Sequence, residues 1–365
     1  MLYQFLYPLK DIIGIFNIFR YITFRSAMAS FTAFLFSLLL GPWIIRKLDT
    51  NGIHDCPFRK ECPELNDLQE NKKGTPTMGG IIIIAGFLLS LLLWGNLHNA
   101  WVWLAVFSTL WMGILGFLDD YLKLRHKSSC GLGKKGKLIG QGIWGLVLGI
   151  YLYLHPLHPE VGTSLVFPFF KNLILSLGIF YVLFVILYMV GVTNAVNITD
   201  GLDGLAIGCF LIALASYGVI SYVVGHAKFA HYLLIPYVAG SGELTVFCSS
   251  LVGACLGFLW FNSYPAEVFM GDTGSMALGG ALASVALLTK QEILFLFVGG
   301  VFVLEILSVV IQVFSYRLLK RRVFKIAPLH HHFQFLGWPE SKVTIRLWIL
   351  TLIIAILSLA TLKMR

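Results

Sequence analysis

The sequence predicts an all-α polytopic membrane protein with about ten transmembrane helices. Hydrophobic residues make up 58% of the 365-residue chain and charged residues 12%, which excludes the pair of soluble domains that length alone would allow. Apolar runs of about 20 residues recur, each long enough to cross a ~30 Å hydrocarbon core. The runs are continuous rather than alternating, which selects helices over barrel strands.

Ten spans are expected, at 25–46, 76–96, 101–118, 137–155, 172–191, 201–223, 242–261, 274–289, 292–316 and 343–363, all within one integral membrane domain covering 1–365. The first span runs into the basic Arg46-Lys47 pair. The third is closed by Asp119-Asp120, the sixth begins among the glycines and aspartates of 200–204, and the seventh ends before Asn262. The ninth runs into Arg317, and the tenth follows Lys342. Residues 1–24 mix aromatics with Lys10, Asp11 and Arg20, and read as an interfacial segment rather than a cleaved leader.

Of the 27 Lys and Arg residues, 19 fall in Arg46–Lys73, Lys123–Lys137 and Arg317–Arg346. By the positive-inside rule these segments face the cytoplasm, and ten crossings then put both termini on the periplasmic side. The cytoplasmic connections become 46–75, 119–137, 192–203, 262–273 and 317–342. This bias accounts for most of the net charge of +9, so nucleic acid is not an expected partner. The six cysteines form no CxxC pair, and those in the loops face a reducing compartment, so no disulfide is expected. His54, Cys56 and Cys62 lack a fourth zinc ligand at suitable spacing, which favours an ordinary solvated loop.

The acidic residues are placed where a membrane protein tolerates them least. Asp119 and Asp120 close one apolar run, Asp200 and Asp203 follow another, and Asp272 follows a third. Each would cost ~2.5–3.5 kcal/mol at mid-bilayer, and all fall on the face chosen independently by the lysines and arginines. Adjacent carboxylates repel and call for a cation; magnesium held by one or two carboxylates, water and phosphate oxygens fits such a pair, and a solvated helix end is the plainer alternative. Asn197, Asp200 and Asp203 recur every three residues in GVTNAVNITDGLDG, so a helix would gather them on one side; the alternative is a turn, for which Asn, Asp and Gly are common formers. In FNSYPAEVFMGDTGS, Asp272 and Thr273 could cap the next helix, whose N-terminus would also suit phosphate. Three consecutive histidines, His330, His331 and His332, cannot easily converge on one metal ion and suit hydrogen bonds to phosphate better. Glu305 and Gln312 lie seven apart on one face of the ninth span and are expected to line the protein interior.

Six strings in order, KKGTPTMGG (Lys72 to Gly80), DDYLK (Asp119 to Lys123), GVTNAVNITDGLDGL (Gly191 to Leu205), FMGDTGS (Phe269 to Ser275), VLEILSVVIQV (Val303 to Val313) and APLHHHF (Ala327 to Phe333), resemble the bacterial phospho-N-acetylmuramoyl-pentapeptide transferases, the MraY family. The aspartates are shared with N-acetylglucosamine-1-phosphate transferases; the TPTMGG and PLHHHF forms resemble the muramoyl branch. The resemblance implies a ten-helix inner-membrane homodimer with a cytoplasmic site, moving phospho-MurNAc-pentapeptide from its UDP carrier onto undecaprenyl phosphate with magnesium, and giving lipid I and UMP. It implies Asp272 as the magnesium ligand and Asp119 and Asp120 as a catalytic pair near the lipid phosphate. It further implies Asn197, Asp200, Asp203, Asn262, Phe269, Lys72, Thr77 and Gln312 as substrate contacts, most of them in the nucleoside pocket. Lys123, Lys137, His330, His331 and His332 would line the phosphate path, with Lys134 or Lys135 able to replace Lys137. The segment RKECPELNDLQENKKG departs from the family by lacking its usual glycine-proline and histidine.

A proton-coupled transporter would need acids deep within spans, reachable from both faces. Here only Glu305 is clearly inside one, and a lipid-binding scaffold has no use for the aspartates.

Overall fold

The computed structural model describes residues 1–54, 72, 74–126, 131–168, 170 and 173–363. Ten helices among these residues form one bundle: α1 (Ile22–Thr50), α2 (Gly80–Trp94), α3 (Ala100–His126), α4 (Gly133–Leu154), α5 (Phe180–Thr199), α6 (Leu205–Val224), α7 (Glu243–Asn262), α8 (Gly271–Leu288), α9 (Gly300–Leu319) and α10 (Glu340–Ala360). Eight are long and apolar enough to cross a membrane, the other two being α2 and α8. The chain is a multi-pass membrane protein. The expected span order holds throughout. The cysteines Cys56, Cys62 and Cys130 lie outside the described residues; Cys209, Cys248 and Cys255 are buried and free.

The boundaries differ from expectation where glycine or added length intervenes. The fifth span, expected from 172, starts at Phe180. Before it lies an antiparallel hairpin of β1 (Ser164–Val166) and β2 (Ile174–Ser176), and Gly178 at φ 52° separates hairpin from helix. The sixth starts at Leu205, because Gly204 at φ 71° cannot continue a right-handed helix. The ninth is broken at Gly299 into a short helix Phe295–Val298 and α9. In the other direction, α3 runs past the expected loop boundary at 119 to His126, and α5 runs past 192 to Thr199. At 27 residues α3 is about 40 Å long, so its last turns extend beyond a ~30 Å apolar core.

The central element is α8. Every residue from Thr273 to Leu288 is buried, and α2, α3, α5 and α6 pack around it. Small residues permit this enclosure. A Cβ on Gly80 of α2 would overlap the backbone of Gly274, and one on Gly116 of α3 would overlap the Asp272 carbonyl. Close backbone approach through glycine suits helices in lipid, where van der Waals packing replaces the hydrophobic effect. A second group forms around α7, packed on α1, α2 and α6, where Gly253 lies against the backbone of Ser30.

Two ion pairs, one part-buried and one fully buried, sit at the end of the bundle opposite Asp272. Arg25 of α1 makes bidentate 2.7 Å bonds to Glu243 of α7. Beyond the C-terminal end of α8, Lys290 meets Glu292 at 2.8 Å, and the Tyr181 hydroxyl also donates to Glu292. Met1 and Lys363 lie on this side, the Met1 amine donating to Leu93 O at 3.2 Å and Lys363 Nζ to Tyr232 O at 2.9 Å.

This packing sets opposite outcomes for two glycine substitutions. Gly253→Val should lower stability by about 1–3 kcal/mol, because the added carbons meet backbone that cannot yield. Gly191→Ala in α5, which has open space around it, should leave stability unchanged or raise it by up to ~1 kcal/mol. Thermal unfolding in detergent reads both; equal melting temperatures for the two variants would contradict the packing.

Candidate active site

Because α3 continues as helix through DDYLK, Lys123 falls four residues after Asp119 and three after Asp120, on their side of the helix. Its Nζ lies 2.7 Å from Asp119 Oδ2, 3.9 Å from Asp120 Oδ1 and 2.6 Å from Asp272 Oδ2. Lys137, near the start of α4, reaches the same two oxygens, 2.9 Å from Asp119 Oδ2 and 2.5 Å from Asp272 Oδ2. Asn197, on the last turns of α5, donates to the other Asp272 oxygen at 2.6 Å and to Ser275 Oγ at 2.8 Å. Three separate helices therefore converge on one carboxylate of a fourth. Neither Lys134 nor Lys135 takes part; both are exposed.

Asp120 does something different. Its Oδ2 accepts from the Thr273 amide at 2.8 Å and the Thr273 hydroxyl at 2.7 Å, and its Oδ1 from the Asp272 amide at 3.2 Å. These amides belong to the first turn of α8, which has no side-chain cap of its own. Asp120 thus caps α8 from a neighbouring helix, satisfying orphan N–H groups and placing negative charge at the positive end of the helix dipole. The expectation that Asp272 or Thr273 would cap this helix is corrected: Thr273 donates its hydroxyl, and Asp272 turns to the lysines. Gly271, at φ 73°, supplies the turn that aims the two amides at Asp120. Asp119, beside it, accepts from the Leu132 amide at 2.8 Å.

Asp119, Asp120 and Asp272 offer ligand atoms within 4.8 Å of one another. Three carboxylates against two ammonium groups leave one negative charge in a largely buried setting. The donors are all oxygen, which suits a hard divalent cation. The two ammonium groups now bridge Asp119 and Asp272, and a divalent cation held there would take their place at Asp119 Oδ2 and Asp272 Oδ2. The cluster fits a metal ion, with Asp272 and Asp119 better placed to hold it than Asp120, whose oxygens serve α8.

The remaining expected site residues form two adjoining groups. Lys72 Nζ lies 2.6 Å from Asp203 Oδ1 and 2.6 Å from Glu340 Oε1, and 5.8 Å from the Phe269 ring centre. Glu340 also accepts the Asp203 amide at 2.7 Å. Asn262 uses both ends of its amide, accepting from Gly204 N at 3.1 Å and donating to Val268 O at 2.9 Å. Phe269 donates its amide to Pro76 O, which brings Thr77 beside Gly271. Asp200 ends α5 between Asn197 and this group and is half-buried.

The histidines sit on the short helix Leu329–Phe335. Glu305, buried in α9, accepts from the backbone of Leu329 at 2.8 Å and His330 at 3.2 Å and contacts His330 Nδ1 at 3.1 Å. His330 is fully buried, its ring against Gly201. His331 Nδ1 pairs with Gln334 at 2.8 Å, and His332 Nδ1 accepts the Lys325 amide at 3.2 Å. Gln312 accepts the amides of Val323 and Phe324 and so braces the segment leading to these histidines.

The site's strings also match known proteins. The profile described as glycosyl transferase family 4 matches residues 101–290, and that described as phospho-N-acetylmuramoyl-pentapeptide-transferase signature 1 matches residues 72–84. Proteins named phospho-N-acetylmuramoyl-pentapeptide-transferase from Granulibacter bethesdensis, Thermodesulfovibrio yellowstonii and Citrifermentans bemidjiense are 52%, 50% and 49% identical to this chain, each over the full length of both. The chain belongs to the phospho-N-acetylmuramoyl-pentapeptide-transferase family.

In this member of the family, two contacts are silent in sequence. Glu340 follows a proline at the head of an apolar span, where an acid reads as helix-start chemistry alone; its bond to Lys72 is visible only once α10 packs beside 203. Asp120 as a cap is hidden for the same reason, since 153 residues separate it from Thr273.

Asp120→Ala should therefore lower stability by about 1–3 kcal/mol, through amides left unpaired at the start of α8. Asp120→Asn, which keeps one acceptor, should lose less. Melting temperatures of the two variants in detergent read the difference, and an unchanged melting temperature for Asp120→Ala would contradict the capping role.

Proposed function

We propose that this chain transfers phospho-MurNAc-pentapeptide from UDP-MurNAc-pentapeptide to undecaprenyl phosphate, forming lipid I and releasing UMP. The observation that carries the reading is the convergence of Lys123, Lys137 and Asn197 on Asp272 beside Asp119, in a chain alike over its full length to transferases of that name. A lipid phosphate oxygen bonds to the phosphorus next to the sugar, and the bond from that phosphorus to the bridging oxygen breaks, so UMP leaves with the electron pair.

Phosphoryl transfer asks mainly for positioning and charge neutralisation. Lys123 and Lys137 bring two ammonium groups to one point, where they would pass from carboxylates to phosphate oxygens as substrate arrives. Asn197 fixes the Asp272 carboxylate from its other side. The lipid phosphate is already anionic near neutral pH, so Asp119 need only orient it or accept a residual proton. We favour direct attack by the lipid phosphate over an aspartyl-phosphate intermediate, because Asp119 Oδ2 already faces two ammonium groups. Magnesium held by Asp272 and Asp119 would neutralise pyrophosphate oxygens. The Lys72, Phe269 and Asp203 group is assigned to the nucleoside, and His331 and His332 to the phosphates. His330, Gln312 and Asn262 shape these subsites through the backbone contacts they make.

We further place the site on the cytoplasmic face of the bacterial inner membrane, both termini periplasmic, in a homodimer. The 19 clustered basic residues support that orientation. Cysteine labelling tests it: a probe cysteine beside Lys135 should react only from the cytoplasmic side, and periplasmic labelling would reverse the arrangement.

Purified protein should release UMP from UDP-MurNAc-pentapeptide and polyprenyl phosphate in a magnesium-dependent manner, and comparable turnover of UDP-N-acetylglucosamine would overturn the substrate assignment. Asp272→Asn should cut turnover roughly 10²-fold or more, because a neutral amide is a poor partner for a hard cation, while melting stays close to the parent. Near-normal magnesium-dependent activity in that variant would move the metal to Asp119 and Asp120.

A further inference from the structure

We propose that Gln141 is a positioning residue for the transfer: its hydrogen bond to Asn194 fixes the register of α4 on α5, and through it the placement of Lys137 and Asn197 on Asp272. The inference deepens the function proposed above and rests on it for its kinetic arm only.

The facing surfaces of the two helices follow a four-residue spacing. On α4 the series is Lys137, Gln141, Gly145 and Gly149; on α5 it is Asn194, Val190, Ile186 and Val182, running the opposite way. A Cβ on Gly149 would stand 3.1 Å from Val182, and one on Gly145 2.8 Å from the Cα of Ile186. In this half of the interface the glycine backbone lies against the backbone and branched side chains of Val182 and Ile186. Small residues there allow close approach of the two helices.

Register is set where the glycines end. Asn194 Nδ2 donates one hydrogen to Val190 O of its own helix at 2.8 Å and the other to Gln141 Oε1 at 2.8 Å. Gln141 is fully buried. A single polar pair in an apolar helix seam is a known means of fixing register, and here it stands one turn from the reacting groups. Lys137 is four residues beyond Gln141, and Asn197 three beyond Asn194. A slip of one residue moves a helix by about 1.5 Å, enough to take Lys137 off the Asp272 oxygen that it meets at 2.5 Å. Misplacement by ~1 Å can cost of the order of 10²-fold in rate.

The test has an arm that does not depend on activity. Spin labels on Leu154→Cys and Phe180→Cys, both exposed at the far end of the α4–α5 pair, report the register by pulsed electron resonance. Gln141→Met, close in volume and unable to bond, should shift or broaden that distance distribution, and the exchange Gln141→Asn with Asn194→Gln should restore it. An unchanged distribution in Gln141→Met overturns the proposal whether or not the parent protein turns over UDP-MurNAc-pentapeptide; an inactive parent fails the proposed function instead. In the kinetic arm, kcat should fall about tenfold in Gln141→Met, with KM for the UDP substrate within about twofold and melting close to the parent. The exchanged pair should regain at least half of the rate. In a Lys137→Ala background Gln141→Met should cause little further loss. Parent-like kcat in Gln141→Met, or an equal tenfold loss in the Lys137→Ala background, would overturn the proposal.

Discussion

The bond from the Asp272 and Thr273 amides to Asp120 is the constraint on which the rest of the site depends. α8 is buried from Thr273 onward, and N–H groups left unpaired at the head of such a helix are costly. Asp120 meets that need, and in doing so it ties α3 to α8 at one height. Once the two helices are fixed there, Asp119 and Lys123 on α3 stand beside Asp272. The glycines at 80, 116, 271 and 274 make the tie sterically feasible. One pair of adjacent acids thus divides its contacts, with Asp120 holding the helix and Asp119 facing the lysines.

Charge is arranged on the same plan elsewhere. Each buried acid near the site faces a cation or a helix start: Asp203 and Glu340 share Lys72, and Glu305 holds the first amides of the histidine helix. An unpaired carboxylate in such a setting would be strongly unfavourable, so each acid fixes the element opposite it. The result is a set of loops and helix ends pinned to one another around Asp272, on the face where the basic residues also gather. At the other end of α8, Lys290 and Glu292 pin the same helix to α5. Its axial position is held from both ends.

Much of this was legible in the sequence because membrane insertion makes composition informative. Ten apolar stretches, their order and the placing of Asp119, Asp120, Lys123, Lys137 and Asp272 on one face could be read from hydropathy and charge bias; the contact of Asn197 with Asp272 could not, since the motif resemblance puts Asn197 in the nucleoside pocket. The fine boundaries could not: the β1–β2 hairpin is as apolar as a helix start, and only Gly178 marks the change. The division of labour between Asp119 and Asp120 was equally hidden, since adjacent acids look alike until one of them meets a helix terminus. The contacts of Glu340 with Lys72, of Gln141 with Asn194 and of Asn262 with Gly204 join residues far apart in sequence. Spacing along the chain carries no trace of them.

The claim that these carboxylates form a single divalent-cation site is tested most directly by equilibrium binding of Mn2+, followed by electron paramagnetic resonance on the purified protein. One bound ion per chain is expected, displaced by magnesium, lost in Asp272→Asn and retained in Asp203→Asn. Binding that is unchanged in Asp272→Asn, or lost in Asp203→Asn, would contradict a cation site built on Asp272.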